Sequence, residues 1–275
     1  MEADESTEVI VLISKPPSPR VQSKVFEKVE KDVTKPCVAC FLGGTKFEKL
    51  GDKLYTTETL EEAAYAAVAL LKGEEPKKVE FAVPEERVSK VVEEELSRKA
   101  KGQRYVRGLF SGGTLCSEAL VVLTRYFPVY SNVSYKRSLK LESPLESKEH
   151  TCVDLGAEEF VAGRPHPMID YTVRKRRILK EARDPSVSVL LLDVVLGYGA
   201  HPNPSKELEE AIAKAREVAE REGRHLTFVA SITGTPDDPQ NRDHQKEVLE
   251  RCGVVVMPTN AQASKLAALI ASRSS

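Results

Sequence analysis

The chain has 275 residues, of which 41% are hydrophobic and 30% charged, with a formal net charge of −1. That is enough material for one large domain or two modest ones, each with its own core. The near-balanced charge excludes a global basic footprint for nucleic acid, and the composition is that of a soluble globular protein with a highly charged surface.

The acidic start, Met1 to Ser6, lacks the basic and apolar regions of a signal peptide. Val9 to Ile13 reads as a buried strand that ends in a Pro-rich turn, Ser14 to Pro19. A helix follows over about 20–31, with Val21, Val25, Phe26 and Val29 on one face. Cys37 to Leu42 is the next strand, closed by Gly43-Gly44-Thr45. Cys37 and Cys40 have redox or zinc half-site spacing, but strand alternation places the two thiols on opposite faces, which argues for structural cysteines. A charged loop leads to the short strand Lys53 to Tyr55, and Thr57 or Thr59 caps an alanine-rich helix from Leu60 to Leu71. Residues 73–104 break this rhythm. A linker with a strongly charged helix, Pro84 to Lys101, separates a first module (1–76) from a second (103–275), with 77–102 as the linker helix.

From Tyr105 the alternation resumes: strand 105–110, the turn Ser111-Gly112-Gly113, and a helix 114–125. Residues 127–149 have weak periodicity and read as a basic excursion. Strands at 151–155, 187–193, 226–231 and 254–256 follow, each leading to a helix. The longest apolar run, Val187 to Leu196, is interrupted by Asp193 and is too short to span a bilayer, so a cytoplasmic location is expected. Five strands alternating with helices predict an α/β fold with a flavodoxin-like doubly wound parallel sheet. The pattern of strand, Pro-rich turn, helix, strand, Gly-Gly-Thr45, strand and alanine-rich helix in the first module repeats at the end of the second, around Thr233-Gly234-Thr235. The first module therefore reads as a partial copy, a half sheet whose open edge invites association.

The run Gly163-Arg164-Pro165-His166-Pro167-Met168-Ile169-Asp170 stands between a strand and a basic helix. Two prolines stiffen the backbone around His166, and Arg164 and Arg174 suit carboxylate or phosphate. In a parallel sheet the loops 111–114, 155–170, 194–204 and 232–240 gather at the carboxyl edge, where ligands bind. Gly112, Gly113 and Thr114 offer backbone N–H groups at a helix start, and Thr233, Gly234 and Thr235 form a second such turn. With Arg164 and Arg174 they predict a cleft for a small anionic substrate. His166 and Asp193 are the candidate catalytic residues. Asp154 and Asp193, both at strand ends, are placed either to orient His166 or to cap loop N–H groups. Cys116, near a helix start, is a candidate for a lowered pKa or for a buried structural thiol. No HxxxH or HExxH pair predicts a metal, and no Gly-x-Ser-x-Gly elbow predicts a serine hydrolase.

Leu12 to Pro17, Gly108 to Leu115, Gly163 to Asp170, Leu191 to Gly199 and Thr233 to Gln240 together resemble the FdrA family over nearly the whole chain. The resemblance implies kinship to succinyl-CoA synthetase, whose ligase domains are flavodoxin-like sheets, and an acyl-CoA synthetase-like subunit. It also brings an alternative, an oxamate carbamoyltransferase subunit using carbamoyl phosphate, and a non-catalytic, effector-binding subunit is a third reading. The family's CoA-binding Rossmann domain and its ATP-grasp relatives have no counterpart here, and Gly43 to Glu48 stands where succinyl-CoA synthetase carries its phosphohistidine loop. No cofactor is therefore expected on this chain alone. CoA or a nucleotide would come with a missing domain or with a partner chain, which would also complete the first sheet.

Overall fold

The computed structural model describes residues 1–134 and 136–272. The chain folds as two compact units, Met1–Ala82 and Val83–Ser275.

In the first unit the strands are β1 (Ile10–Ser14), β2 (Cys37–Phe41), β3 (Glu48–Leu50) and β4 (Leu54–Thr57), in the order β1-β2-β4-β3. β1, β2 and β4 are parallel, whereas β3 pairs antiparallel with β4. The charged segment after β2, expected as a loop, supplies β3 because the turn at Gly51 (φ 63°) folds the chain back on itself. α1 (Pro19–Asp32) packs its Val25, Phe26 and Val29 against Cys37, Ala39 and Phe41. α2 (Leu60–Leu71) packs Ala63 and Ala66 against Val38 and Cys40 on the opposite face. The two cysteines thus belong to different cores, as period-2 alternation requires. Thr45 closes the Gly-Gly turn by donating from Oγ1 to Thr57 O (2.5 Å) and accepting from Phe41 N (3.0 Å). β1 ends the sheet and has no outer neighbour among the described residues.

The second unit opens with α3 (Glu85–Ser97). Its sheet comprises β5 (Tyr105–Phe110), β6 (Tyr130–Ser131), β7 (Thr151–Asp154), β8 (Val187–Val195), β9 (Thr227–Thr233) and β10 (Val255–Met257). All pairings are parallel, in the order β10-β9-β8-β5-β7-β6. Apart from the two-residue β6, this is the doubly wound flavodoxin-like order, with β5 central. α4 (Gly113–Leu123) and α9 (Asn260–Ser272) cover one face. α6 (Thr172–Ala182), α7 (Pro204–Arg221) and α8 (Arg242–Arg251) cover the other, and the short α5 (Glu158–Val161) lies in the loop after β7. The main core cluster joins Leu190, Leu192, Phe228 and Ala230 of the sheet to Ile178, Leu208 and Ile212 of the helices.

Two segments depart from the sequence expectation. The helix expected as a linker over 77–102 packs, as α3, on α9 inside the second unit. Buried polar bonds tie it there: Glu95 Oε2 lies 2.8 Å from His225 Nε2 and accepts from Thr227 Oγ1 at 2.6 Å, and Lys99 Nζ donates to Ser188 Oγ and to Ile270 O. The excursion at 127–149 adds β6 at the sheet edge and is held by α6. Arg177 donates to Pro144 O (2.8 Å) and Ser147 Oγ (2.7 Å), while its Nε pairs with Glu181 at 2.5 Å. Arg107, from β5, joins the same network through Glu181 (2.9 Å) and Asp184 (2.7 Å).

Candidate functional site

At the carboxyl edge of the second sheet the chain leaves β5 toward α4 on one face and β8 toward α7 on the other. The crevice between these departures is the topological switch point. Asp193, on β8, is fully buried there. It accepts from the backbone N–H of Ser111 (2.8 Å) and of Gly112 (2.8 Å), and from Ser111 Oγ (3.0 Å). Arg174 reaches it from α6, with Nη2 2.7 Å from Asp193 Oδ1 and 3.0 Å from Leu109 O, and it too is fully buried. The Tyr171 ring lies 5.7 Å from the guanidinium carbon, and burial pushes the phenol up to about 12.

His166 enters the same edge from the Pro-rich loop. Its Nδ1 accepts from Met168 N–H at 3.2 Å, so in the neutral ring the proton sits on Nε2. Nε2 faces Gly156: a methyl group there would stand 2.6 Å from Nε2, 2.9 Å from Ser111 O and 3.2 Å from Asp154 Oδ1. Asp154 Oδ1 accepts from Gly156 N–H at 2.9 Å, and its Oδ2 would stand 2.6 Å from a methyl group on Gly113. Gly113 and Gly156 are thus small because a carboxylate and an imidazole pass over their backbones. The imidazole, the Asp154 carboxylate and the first turn of α4 form one cluster, with Thr114 exposed at its rim.

The remaining loops are braced from below. Gln240 is buried and grips the loop after β8, accepting from Gly197 N–H (3.1 Å) and donating to Gly197 O (2.7 Å) and His201 O (3.2 Å). His201 N–H donates to Met168 O at 2.8 Å, which joins that loop to the His166 loop. Tyr198, at its tip, is 94% exposed. Thr235 N–H donates to Asp238 Oδ2 at 2.6 Å, and Gly234 is pressed against Leu196.

These positions revise several sequence expectations. Arg174 was expected to clamp an anion, but it is buried and engaged with Asp193, which leaves the exposed Arg164 as the guanidinium of the edge. Asp193 was expected as a catalytic group, but it has no solvent-exposed surface. It caps the 111–112 turn, the second role open to it. Gly112 and Gly113 were expected to cradle an anion, yet the Gly112 N–H serves Asp193 and the Asp154 carboxylate stands over Gly113. Thr233 is exposed, Gly234 packs, and Thr235 is closed by Asp238. Burial pushes the Cys116 thiol well up, so its place near the α4 start does not make it a thiolate. Of the candidates, Arg164, Thr114 and Thr233 are exposed at this edge and His166 is half-buried. Sequence reading gave no role to Gln240, which nothing local signals, and it read Ser111 as part of an anion-binding turn, whereas its N–H and Oγ both donate to Asp193.

Among the described residues no group of three or more His, Cys, Asp or Glu could hold a metal, and no helix is long and apolar enough to cross a membrane. For CoA the 111–114 turn is a poor cradle. A diphosphate there would find the Gly112 N–H already bonded to Asp193 and the Asp154 carboxylate standing over Gly113.

A family model described as CoA-ligase matches residues 109–270, from the end of β5 into α9. The chain belongs to the CoA-ligase family. This CoA-ligase chain is 37% identical over 270 residues to the uncharacterized protein YahF of Escherichia coli K12, across 97% of its own length and 51% of that protein's. Among solved structures it is similar to the dinucleotide-forming acetyl-coenzyme A synthetase 1 of Ca. Korarchaeum cryptofilum in complex with phosphate and ADP. The identity is 17%, the TM-score 0.42, and the match covers 98% of this chain and 54% of that one. PH0766 of Pyrococcus horikoshii OT3 is similar at 16% identity and a TM-score of 0.39, over 98% of this chain and 53% of that one. The chain spans about half the length of the relatives it matches.

Proposed function

We propose that the chain is an acyl-CoA synthetase-like, ligase-type subunit of FdrA character that acts on a phosphate- or carboxylate-bearing acyl group together with a partner chain. The observation that carries this reading is the CoA-ligase match, which begins at the strand leading into the Ser111-Gly112 turn and takes in the whole switch-point edge. Within it His166 is the acid/base group, holding its exchangeable proton on Nε2, and Arg164 is the anion-gripping residue. Asp193 and Arg174 hold the turn that carries Thr114. The open β1 edge of the first sheet is where a partner, or a further segment of a longer protein, would add strands. No observation favours the oxamate carbamoyltransferase reading.

The test is a thermal-shift series with CoA, Mg-ATP, inorganic phosphate and acetyl phosphate, with carbamoyl phosphate plus oxamate as a competing pair. A ligand at about 100 times its dissociation constant adds roughly 2.7 kcal/mol, which is readily seen. Stabilisation by phosphate or acetyl phosphate, reduced in Arg164→Ala and His166→Ala, is expected. A shift with carbamoyl phosphate and oxamate alone, or with none of the ligands, would overturn the reading.

A further inference from the structure

We propose that the second unit carries a pocket for a small amphipathic anion, an apolar chain or ring that ends in a carboxylate, at the β10 edge of its sheet. A cavity of about 390 Å³ opens there between α3, α8 and the ends of β9 and β10, within the roughly 300–1,000 Å³ range of small-molecule sites. β10 is the terminal strand, so no further strand covers Val255 and Val256, and both are only half-buried. They form the floor with Ile232, Met257 and Leu266, and α3 contributes Val88 and Val91 as a wall. That floor presents no side-chain donor or acceptor, which disfavours a sugar or a nucleotide base. It rewards an apolar body in proportion to the area it buries.

The lining also carries charge of one predominant sign. Arg87 from α3 and Arg242 and Lys246 from α8 line the cavity, and Asp243 is the one carboxylate among the described lining residues. Asp243 lies 3.4 Å from Arg242 Nε, and Lys246 Nζ lies 3.7 Å from Glu250 Oε1 outside the cavity. Both are exposed, loose pairs that a bound carboxylate can displace at little cost. Arg87, on α3, is exposed. Guanidinium groups from two different helices in a lining that is otherwise mostly apolar match a carboxylate head on an apolar body.

This pocket lies on different strands from the His166 cluster, and its test needs no turnover, so it stands or falls apart from the ligase reading. The experiment is titration calorimetry with hexanoate, hexanol and inorganic phosphate. The proteins are the wild type, the Arg87→Ala/Arg242→Ala double variant and Val256→Trp, each checked for an unchanged unfolding midpoint. Hexanoate is expected to bind the wild type, at least about tenfold more weakly to the double variant, and not at all to Val256→Trp. Hexanol is expected to bind more weakly than hexanoate and equally to the wild type and the double variant. Absence of hexanoate binding, or binding indifferent to both sets of substitutions, overturns the site. Binding of phosphate alone as tightly as hexanoate overturns the ligand class. If Val256→Trp does not fold, the arginine variant alone decides.

Discussion

Arg174 shows how burial changes the meaning of a residue. Read along the sequence it is one of several cations after a histidine; in the fold it is the counter-ion of a carboxylate with no exposed surface. Removing one member of a buried ion pair leaves the other charge uncompensated, at about 3–5 kcal/mol, whereas removing both together costs much less. Arg174→Met is therefore expected to lower urea stability by roughly that amount, and Arg174→Met/Asp193→Asn to recover a good part of it. A single variant within about 1 kcal/mol of the wild type would show that the pair does not hold the turn. Gly156 makes the complementary case. Any side chain there must push His166 aside, so its size limit and the histidine's position are one constraint.

Among the elements, α3 is the one whose role changed most between sequence and structure. Its Glu93-Glu94-Glu95 run looks like a solvated face, and two of the three are indeed exposed. Glu95 is not. Burial alone would raise its carboxyl, but the bonds from His225 and Thr227 outweigh that and hold it below the usual carboxylate range. Charge-assisted hydrogen bonds contribute about 1.5–3 kcal/mol each, so Glu95→Ala should weaken the docking of the helix more than its intrinsic helicity. Hydrogen exchange is the measurement: amides of 85–97 should exchange faster in the variant, while those of β8 and β9 stay protected. Equal loss of protection in helix and sheet would mean that α3 belongs to the same cooperative core. α4 makes the opposite point. Its start, foreseen as a vacant anion site, has two of the protein's own carboxylates beside it, and both come from strands distant in sequence.

Across the molecule, stability is expected to fall on the acid side. His150 is stacked on Phe127 at 3.5 Å between ring centroids, and its Nδ1 accepts from Val106 N–H. Burial, helped by the charge of Arg107, lowers its pKa from 6.5 to about 4. A depressed folded pKa means that the folded state refuses a proton the unfolded chain accepts. The contribution is thus complete above pH 6.5 and is lost as the pH falls toward 4. The depressed carboxyls of Glu95 and Asp184 add losses at lower pH still. Melting temperature measured from pH 7 to pH 4 should therefore decline, and His150→Phe, which keeps the stack but cannot titrate, should flatten the upper part of that decline. An unchanged slope in the variant would place the acid sensitivity elsewhere.

The alternation of strand and helix patterns alone located strands at 37–42, 105–110 and 187–193, which the structure places at Cys37–Phe41, Tyr105–Phe110 and Val187–Val195, with the helices between them and the parallel α/β class. These follow from local period and turn chemistry, which neighbouring residues carry. The weakly patterned segment 127–149 was not legible, because Arg177 and Lys180 hold it through contacts some 30 residues away. His166 stands out as a candidate from its proline brackets, and Asp154 from its place at a strand end, but that the two meet over Gly156 is set by the fold alone. Whether an aspartate at a strand end caps a turn or faces a substrate depends on which loop the sheet order sets beside it. The central place of β5 between β7 and β8 brings Asp154 and Asp193 to the start of α4, and that adjacency exists only once the sheet has formed.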